Sequence, residues 1–441
     1  MTPIAGDVTT AQSSSGDERP VRLLVDDDLQ RSRGTVFFRA IFALPFLIWL
    51  LVWAIGATFV AFFHWLIALF DGKPSDELHE WLARFIRFAT HTYAYLNLAA
   101  EPLPKFDGRP GYAIDLEFDP PRQQSRWSIA FRLILAFPAL LLAGVLVGSG
   151  SFFFDLTRSS SGSTPLTVVG LAALFGWFYA MFRTRLPRGL RDLIAFALSY
   201  AAQTWAYLLL VSHRYPSSDP LTAIGPLPTR TDPVRMEVTD ELRRSRLTVF
   251  FRLALAVPHL LWLTLWGVLV GVLAIFNWFA TLILGTTPEW IHRFFSRYVR
   301  YQLHVGAFLY LVGNPFPGFV GAEGSYPIEL HVAERRRQNR WIVGFRLVLA
   351  FPALLLASAF SQLLLLVAVF GWFVGLFTAR MPLGLRNLGA FALRYSTQTY
   401  AYVLLLTDTY PYSGPCLEAA PEPPAPDPVA PPAPGPAAWT N

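Results

Sequence analysis

The chain of 441 residues is 54% hydrophobic and 15% aromatic, with only 15% charged residues. Water-soluble domains carry about a quarter charged residues, so this balance argues against an ordinary soluble domain and for lipid as the main solvent. The formal net charge of +6 rests almost wholly on arginine, and the arginines adjoin apolar runs instead of forming one basic face, which disfavours nucleic acid as a partner.

Residues 1–20, MTPIAGDVTTAQSSSGDERP, are polar and have no basic stretch followed by an apolar core. A disordered leader is expected, and no cleaved signal peptide. From Val21 the pattern changes. VRLLV alternates apolar and polar residues, the signature of a half-buried strand, and YAIDLEF from Tyr112, VRMEV from Val234 and YPIELHV from Tyr326 do the same. A two-stranded ribbon alone is marginal, so the four strands are expected to meet in one small surface β-sheet.

Behind each strand stands one motif: RSRGTVFFRAIFALP at 31–45, QSRWSIAFRLILAFP at 124–138, RSRLTVFFRLALAVP at 244–258 and QNRWIVGFRLVLAFP at 338–352. The shared pattern is [RQ]-[SN]-R-x4-F-R-x5-P, without a gap. Each copy leads into a long apolar segment and a short loop ending at Pro74, Pro187, Pro288 or Pro382. A more polar helix follows, in which Tyr95, Tyr207, Phe308 and Tyr402 stand nine residues before a proline. The chain thus reads as four repeated units, 21–106, 112–216, 234–317 and 326–411. Each unit is a short strand, an interfacial arginine turn, a long apolar helix or helical hairpin, and an amphipathic third helix. The fold class is mainly α and integral membrane.

The apolar segment of the fourth unit, Trp341 to Phe377, has 37 residues. As one helix it would run about 55 Å, against a hydrocarbon core of roughly 30 Å. A hairpin resolves the mismatch and is the favoured expectation. In the second unit the insertion 148–165, GSGSFFFDLTRSSSGSTP, puts charge and serine at the matching place, where the chain is expected to leave the bilayer. Hairpins would also keep the arginines that flank both ends of each segment on the cytoplasmic side. Trp65, Trp177, Trp278 and Trp372 fit an interfacial belt, with the third helix lying at the interface. The alanine- and proline-rich tract 415–441 is expected to be a disordered tail; it holds the single cysteine, Cys416, so no internal disulfide forms.

Three recurrent sets are candidate functional residues. The motif arginines Arg33 and Arg39, Arg126 and Arg132, Arg246 and Arg252, Arg340 and Arg346 either contact lipid headgroups or are structural, snorkelling or pairing with strand acids. Pro45, Pro138, Pro258 and Pro352 mark a helix break or start. His91, Gln203, His304 and Gln398 recur as polar third-helix positions, where hydrogen bonding between helices is expected. Two histidines and two glutamines make a poor metal set, and no metal or other cofactor is expected. Phosphate loops, H-E-x-x-H, G-x-S-x-G and dinucleotide fingerprints are absent, so no catalytic role is expected.

The arginine motif, the Gly/Pro loop and the T-x-A-Y…Y-P third helix, as in RSRLTVFFRLALAVPHLLWL from Arg244 and AYVLLLTDTYP from Ala401, resemble a bacterial membrane family, domain of unknown function 4389 (DUF4389). The resemblance spans about residues 21–411 in tandem copies, the second unit departing most, and implies membrane location with no catalytic residues. Taken together, these features predict a multi-pass cell-membrane protein that organises anionic lipids or partner proteins at the cytoplasmic face. A small-solute or ion transporter built from pseudosymmetric repeats is the alternative, weakened by the scarcity of acidic residues at membrane depth.

Overall fold

The computed structural model describes residues 21–148 and 167–418. The expected leader, the insertion after Gly148 and the tail after Glu418 lie outside the described residues. In chain order the first half holds β1 (Val21–Val25), α1 (Arg33–Asp71), α2 (Asp76–Leu96), β2 (Ile114–Phe118), α3 (Arg126–Ala130), α4 (Arg132–Val147), α5 (Val168–Arg183) and α6 (Arg188–Leu208). The second holds β3 (Thr229–Arg230), β4 (Val234–Val238), α7 (Arg246–Leu284), α8 (Glu289–Leu309), β5 (Ile328–Val332), α9 (Arg340–Gly344), α10 (Arg346–Thr378), α11 (Leu383–Val403) and β6 (Leu417–Glu418).

The favoured hairpin is not formed. α1 and α7 run unbroken for 39 residues each and α10 for 33. The prolines do not break the helices either: Pro45, Pro138, Pro258 and Pro352 lie inside α1, α4, α7 and α10. A proline inside a helix costs about 3 kcal/mol through one lost backbone bond and a ring clash. A continuous buried stripe offsets that loss. On α1 the stripe is Val36, Arg39, Ala43, Phe46, Leu50, Ala54, Ala57, His64 and Ala68, at helical spacing, while the rest of the helix is apolar and mostly uncovered.

Short breaks fall instead at Phe131 and Phe345, directly before Arg132 and Arg346. α4 and α5, 16 residues each, together match the length of α10. Gly148 and Thr167 touch, since a Cβ on Gly148 would stand 3.0 Å from Thr167 Cγ2. α5 therefore begins where α4 ends.

The elements stack in three layers. The long helices form an outer layer in the order α1, α4 with α5, α10, α7. Beneath it lies an inner layer in the order α2, α6, α11, α8, where α6 and α11 meet through Phe196 and Phe391 (ring centroids 6.0 Å apart). Each inner helix is thus covered on one face by a long helix and on another by strands, so the third helices are core elements and not surface ones. Neighbours run antiparallel. Trp65 Nε1 near the end of α1 donates to Ile129 O in α3, and Trp177 Nε1 near the end of α5 donates to Val36 O at the start of α1, both at 3.0 Å. The expected aromatic belt is in part a set of inter-helix ties.

The strands do not join in one sheet. β1 pairs antiparallel with β2, Leu23 opposite Leu116, and β4 with β5, Met236 opposite Leu330. Each ribbon gains its stability by packing on its own pair of inner helices, β1 and β2 on α6 and α2, β4 and β5 on α11 and α8. A short parallel pair, β3 with β6, fixes residues 415–418, which the sequence assigned to the tail; Cys416 is buried there.

Candidate functional site

Each polar position that defines the arginine motif has a distinct physical task. The second position, Ser32, Ser125, Ser245 or Asn339, is the residue at the helix N-cap, and the Ser245 and Asn339 side chains accept from Thr248 N and Trp341 N. The third, Arg33, Arg126, Arg246 or Arg340, is exposed. Three of these cap the end of a neighbouring long helix: Arg33 donates to Phe182 O, Arg246 to Phe377 O and Arg340 to Ile283 O, at 3.4, 3.0 and 3.0 Å. A cation at a helix C-terminus meets the negative end of the macrodipole.

The inner arginines are a different group. Arg39, Arg132, Arg252 and Arg346 are at most 3% exposed and are enclosed by the protein itself. Each guanidinium lies over the recurrent aromatic of its third helix, Tyr95, Tyr207, Phe308 or Tyr402, at 4.5, 4.1, 4.4 and 4.0 Å. Desolvated stacking of this kind contributes about 2 kcal/mol. Arg39 and Arg252 also donate to carbonyls at the end of that helix, Tyr95 O and Ala100 O for one, Phe308 O and Gly313 O for the other. Arg39 completes its set with Glu101 at 2.5 Å, where the other half has Asn314.

The first motif position, [RQ], lies outside the three recurrent sets, and the structure gives it a role. Arg31 donates to Leu98 O and Ala99 O and pairs with Asp27; Arg244 donates to Leu311 O and Val312 O and pairs with Asp240. In the glutamine copies, Gln124 and Gln338 accept from Arg132 and Arg346 instead. The only signal in the sequence is the alternation R, Q, R, Q along the four copies.

The polar third-helix positions are not brought together, one lying on each inner helix. Gln203 and Gln398 accept from Ser217 N and Tyr412 N, clipping the chain that follows α6 and α11. His91 bonds Asp115 Oδ1 at 3.1 Å, and Arg87 reaches the same carboxylate at 3.3 Å and Leu116 O at 3.1 Å, tying α2 to β2. Burial raises the Asp115 pKa, but hydrogen bonds from His91, Gly111 N and Leu116 N outweigh it and hold the carboxyl below its usual range.

The matching cluster in the second half is Arg300, His304, Tyr326 and Glu329. His304 is fully buried against Tyr326, its nitrogens without a well-formed hydrogen bond. Burial, helped by Arg300, pushes its pKa down to about 4. An unfolded histidine titrates near 6.5, so between about pH 6.5 and about 4 the unfolded chain binds a proton that the folded chain excludes. Stability is therefore expected to fall across that window by up to about 3 kcal/mol as pH drops. Unfolding midpoints at pH 7 and 4.5 should differ less in His304→Gln than in the natural chain; an unchanged difference would assign the effect elsewhere.

Among the described residues no group of three or more His, Cys, Asp or Glu side chains is placed to hold a metal ion. The arrangement ties backbone ends together with guanidinium groups.

These features define a layered helical protein in which, among the described residues, three helices are long and apolar enough to cross a membrane, α1, α7 and α10. A family model described as a domain of unknown function (DUF4389) matches residues 33–107, 246–320 and 340–413, beginning each time at the exposed motif arginine. The chain belongs to that family. No curated protein and no solved structure matches it.

Proposed function

We propose that the protein is a membrane-resident, non-catalytic scaffold of four repeated units that binds anionic lipid and organises lipids or partner proteins at the cytoplasmic face. The outer helix layer carries this reading. Phe37, Ile41, Ile48, Phe59 and Phe70 on α1 and Leu253, Leu265, Ile275 and Ile283 on α7 are more than half exposed. Four helices about 50 Å long at 8–10 Å spacing present roughly 2,000 Å², several times the largest apolar patch of a typical soluble monomer.

Four exposed arginines, Arg33, Arg126, Arg246 and Arg340, stand at the ends of that layer, where lipid phosphates would meet them. Flotation on vesicles with and without an anionic phospholipid tests the reading. The natural chain is expected to float with both and to prefer the anionic vesicles. The fourfold Arg33, Arg126, Arg246 and Arg340→Gln variant is expected to lose that preference by tenfold or more, at on the order of 1 kcal/mol per arginine. A chain that stays at the bottom of the gradient with either vesicle sinks the proposal.

A further inference from the structure

Resting on the membrane reading above, we infer that the protein does not cross the bilayer but lies flat on an anionic leaflet, its four long helices sunk side by side in the plane of that leaflet. The helices are too long to stand upright. The apolar surface of α1 runs from Phe37 to Phe70, about 50 Å at 1.5 Å per residue. To fit such a helix upright into a core of roughly 30 Å would take a tilt above about 50°, outside the 0–40° seen for spanning helices. Lying flat, a helix of 10–12 Å diameter fits within a half-core of about 15 Å.

The motifs stand at both ends of the long helices. Arg33 meets the end of α5, and the second motif begins at the far end of α1, where Gln124 N donates to Gly72 O at 3.0 Å. The second half repeats this, with Gln338 N on Gly285 O at 2.8 Å. An upright molecule would place half of the exposed arginines on each side, against the usual charge asymmetry of membrane proteins. A flat one brings both ends to the same headgroups.

The face opposite the long helices is charged. From the Arg39 end of α2 to the Gly72 end, the chain returns through β2 and Asp119 to Gln124 along the strand side of the inner layer. On that side Arg22 and Glu117 pair at 3.2 Å, 55% and 50% exposed. They neighbour Leu116, held by Arg87, one residue from Phe88, which packs on Trp53 at the middle of α1. In the second half Glu237 and His331, 58% and 53% exposed, stand beside Leu330, held by Arg300, whose neighbour Tyr301 stacks on Trp266 at the middle of α7. Upright, both exposed polar pairs would sit at the centre of the bilayer, where charge is not tolerated without a partner surface. Flat, they face water. At the centre of the apolar layer, the hydroxyls of Ser358 and Ser361 are satisfied on their own helix by Leu355 O and Ala357 O.

Single-cysteine accessibility tests the seating. Gly34→Cys marks one end of α1, with no atom nearer than 4.0 Å to the added Cβ; Lys73→Cys marks the other end and Glu117→Cys the strand face. The native Cys416 is buried and sets the background. A membrane-impermeant maleimide, applied to intact cells and to inverted vesicles, should modify all three positions from one side only. Modification of Gly34→Cys and Lys73→Cys from opposite sides would overturn the flat seating and leave membrane residence intact. Protection of Glu117→Cys from both sides would overturn it as well. Recovery of the chain as a soluble dimer would show that a second copy covers the apolar face, and both the seating and the membrane reading would fall.

Discussion

Replacing Arg252 by methionine is expected to destabilise the protein by about 3–5 kcal/mol, while Arg246→Gln, six residues earlier in the same motif, is expected to change stability by less than about 1 kcal/mol. The difference follows from what each guanidinium touches. Arg252 is 1% exposed, donates to Phe308 O at 2.5 Å and Gly313 O at 3.0 Å, and lies 4.4 Å over the Phe308 ring. Methionine keeps the apolar stem but leaves Gly313 O without a donor, at about 1–3 kcal/mol, leaves Phe308 O only its bond from Leu311 N, and removes the stacked charge, worth about 2 kcal/mol. Arg246 is exposed and caps the end of α10 through Phe377 O. Denaturant unfolding of both variants in the same detergent measures the contrast. Comparable losses would mean that Arg252 is no more structural than its exposed neighbour.

How far the sequence reveals this can be seen residue by residue. Ungapped repetition of fifteen residues marks Arg39 and Arg252, and the recurrent Tyr95 and Phe308 mark the surfaces they stack on. What repetition does not show is that these two signals describe one contact, because 56 residues separate the partners. The strand segments are legible from alternation, with VRLLV and VRMEV forming β1 and β4 as read. Their separate pairing is not, since it depends on which inner helices each ribbon packs upon.

The hairpin expectation fails for a different reason. Hydropathy compares the length of an apolar run with the thickness of a bilayer, and a run that is too long invites a fold-back. The comparison assumes that the helix stands upright. Nothing in the apolar run from Phe37 to Phe70 reports its direction, which depends on where β2 and its exposed charges lie relative to α1. Similarly, Pro45 signals a break only if no packed stripe crosses it, and Ala43 and Phe46 carry the stripe past it.

The second large effect is expected at Gly108. Its φ is +61°, and an added Cβ would stand 2.3 Å from Arg84 O and 3.3 Å from Phe88 Cβ. The loop after α2 can therefore rest on that helix only where it has no side chain, and from there Gly108 O accepts from Arg87 Nη1 at 3.2 Å. Gly321 does the same on α8, with φ +57°, Arg297 O 2.4 Å from the added Cβ, and its own carbonyl accepting from Arg300 Nη1 at 3.3 Å. Alanine at Gly108 adds a left-handed backbone penalty of about 1–2 kcal/mol to a displacement of packed backbone of about 1–3 kcal/mol. The displacement also pulls the loop away from Arg87, which otherwise holds α2 against β2. Gly72 separates the two contributions: its φ is +72°, and nothing lies within 4 Å of an added Cβ, so Gly72→Ala carries the backbone penalty alone. Unfolding measurements should therefore rank Gly108→Ala and Gly321→Ala well below Gly72→Ala in stability. Equal losses at Gly108 and Gly72 would mean that the loop does not bear on α2, and the charged strand face would lose the anchor that fixes it opposite the apolar layer.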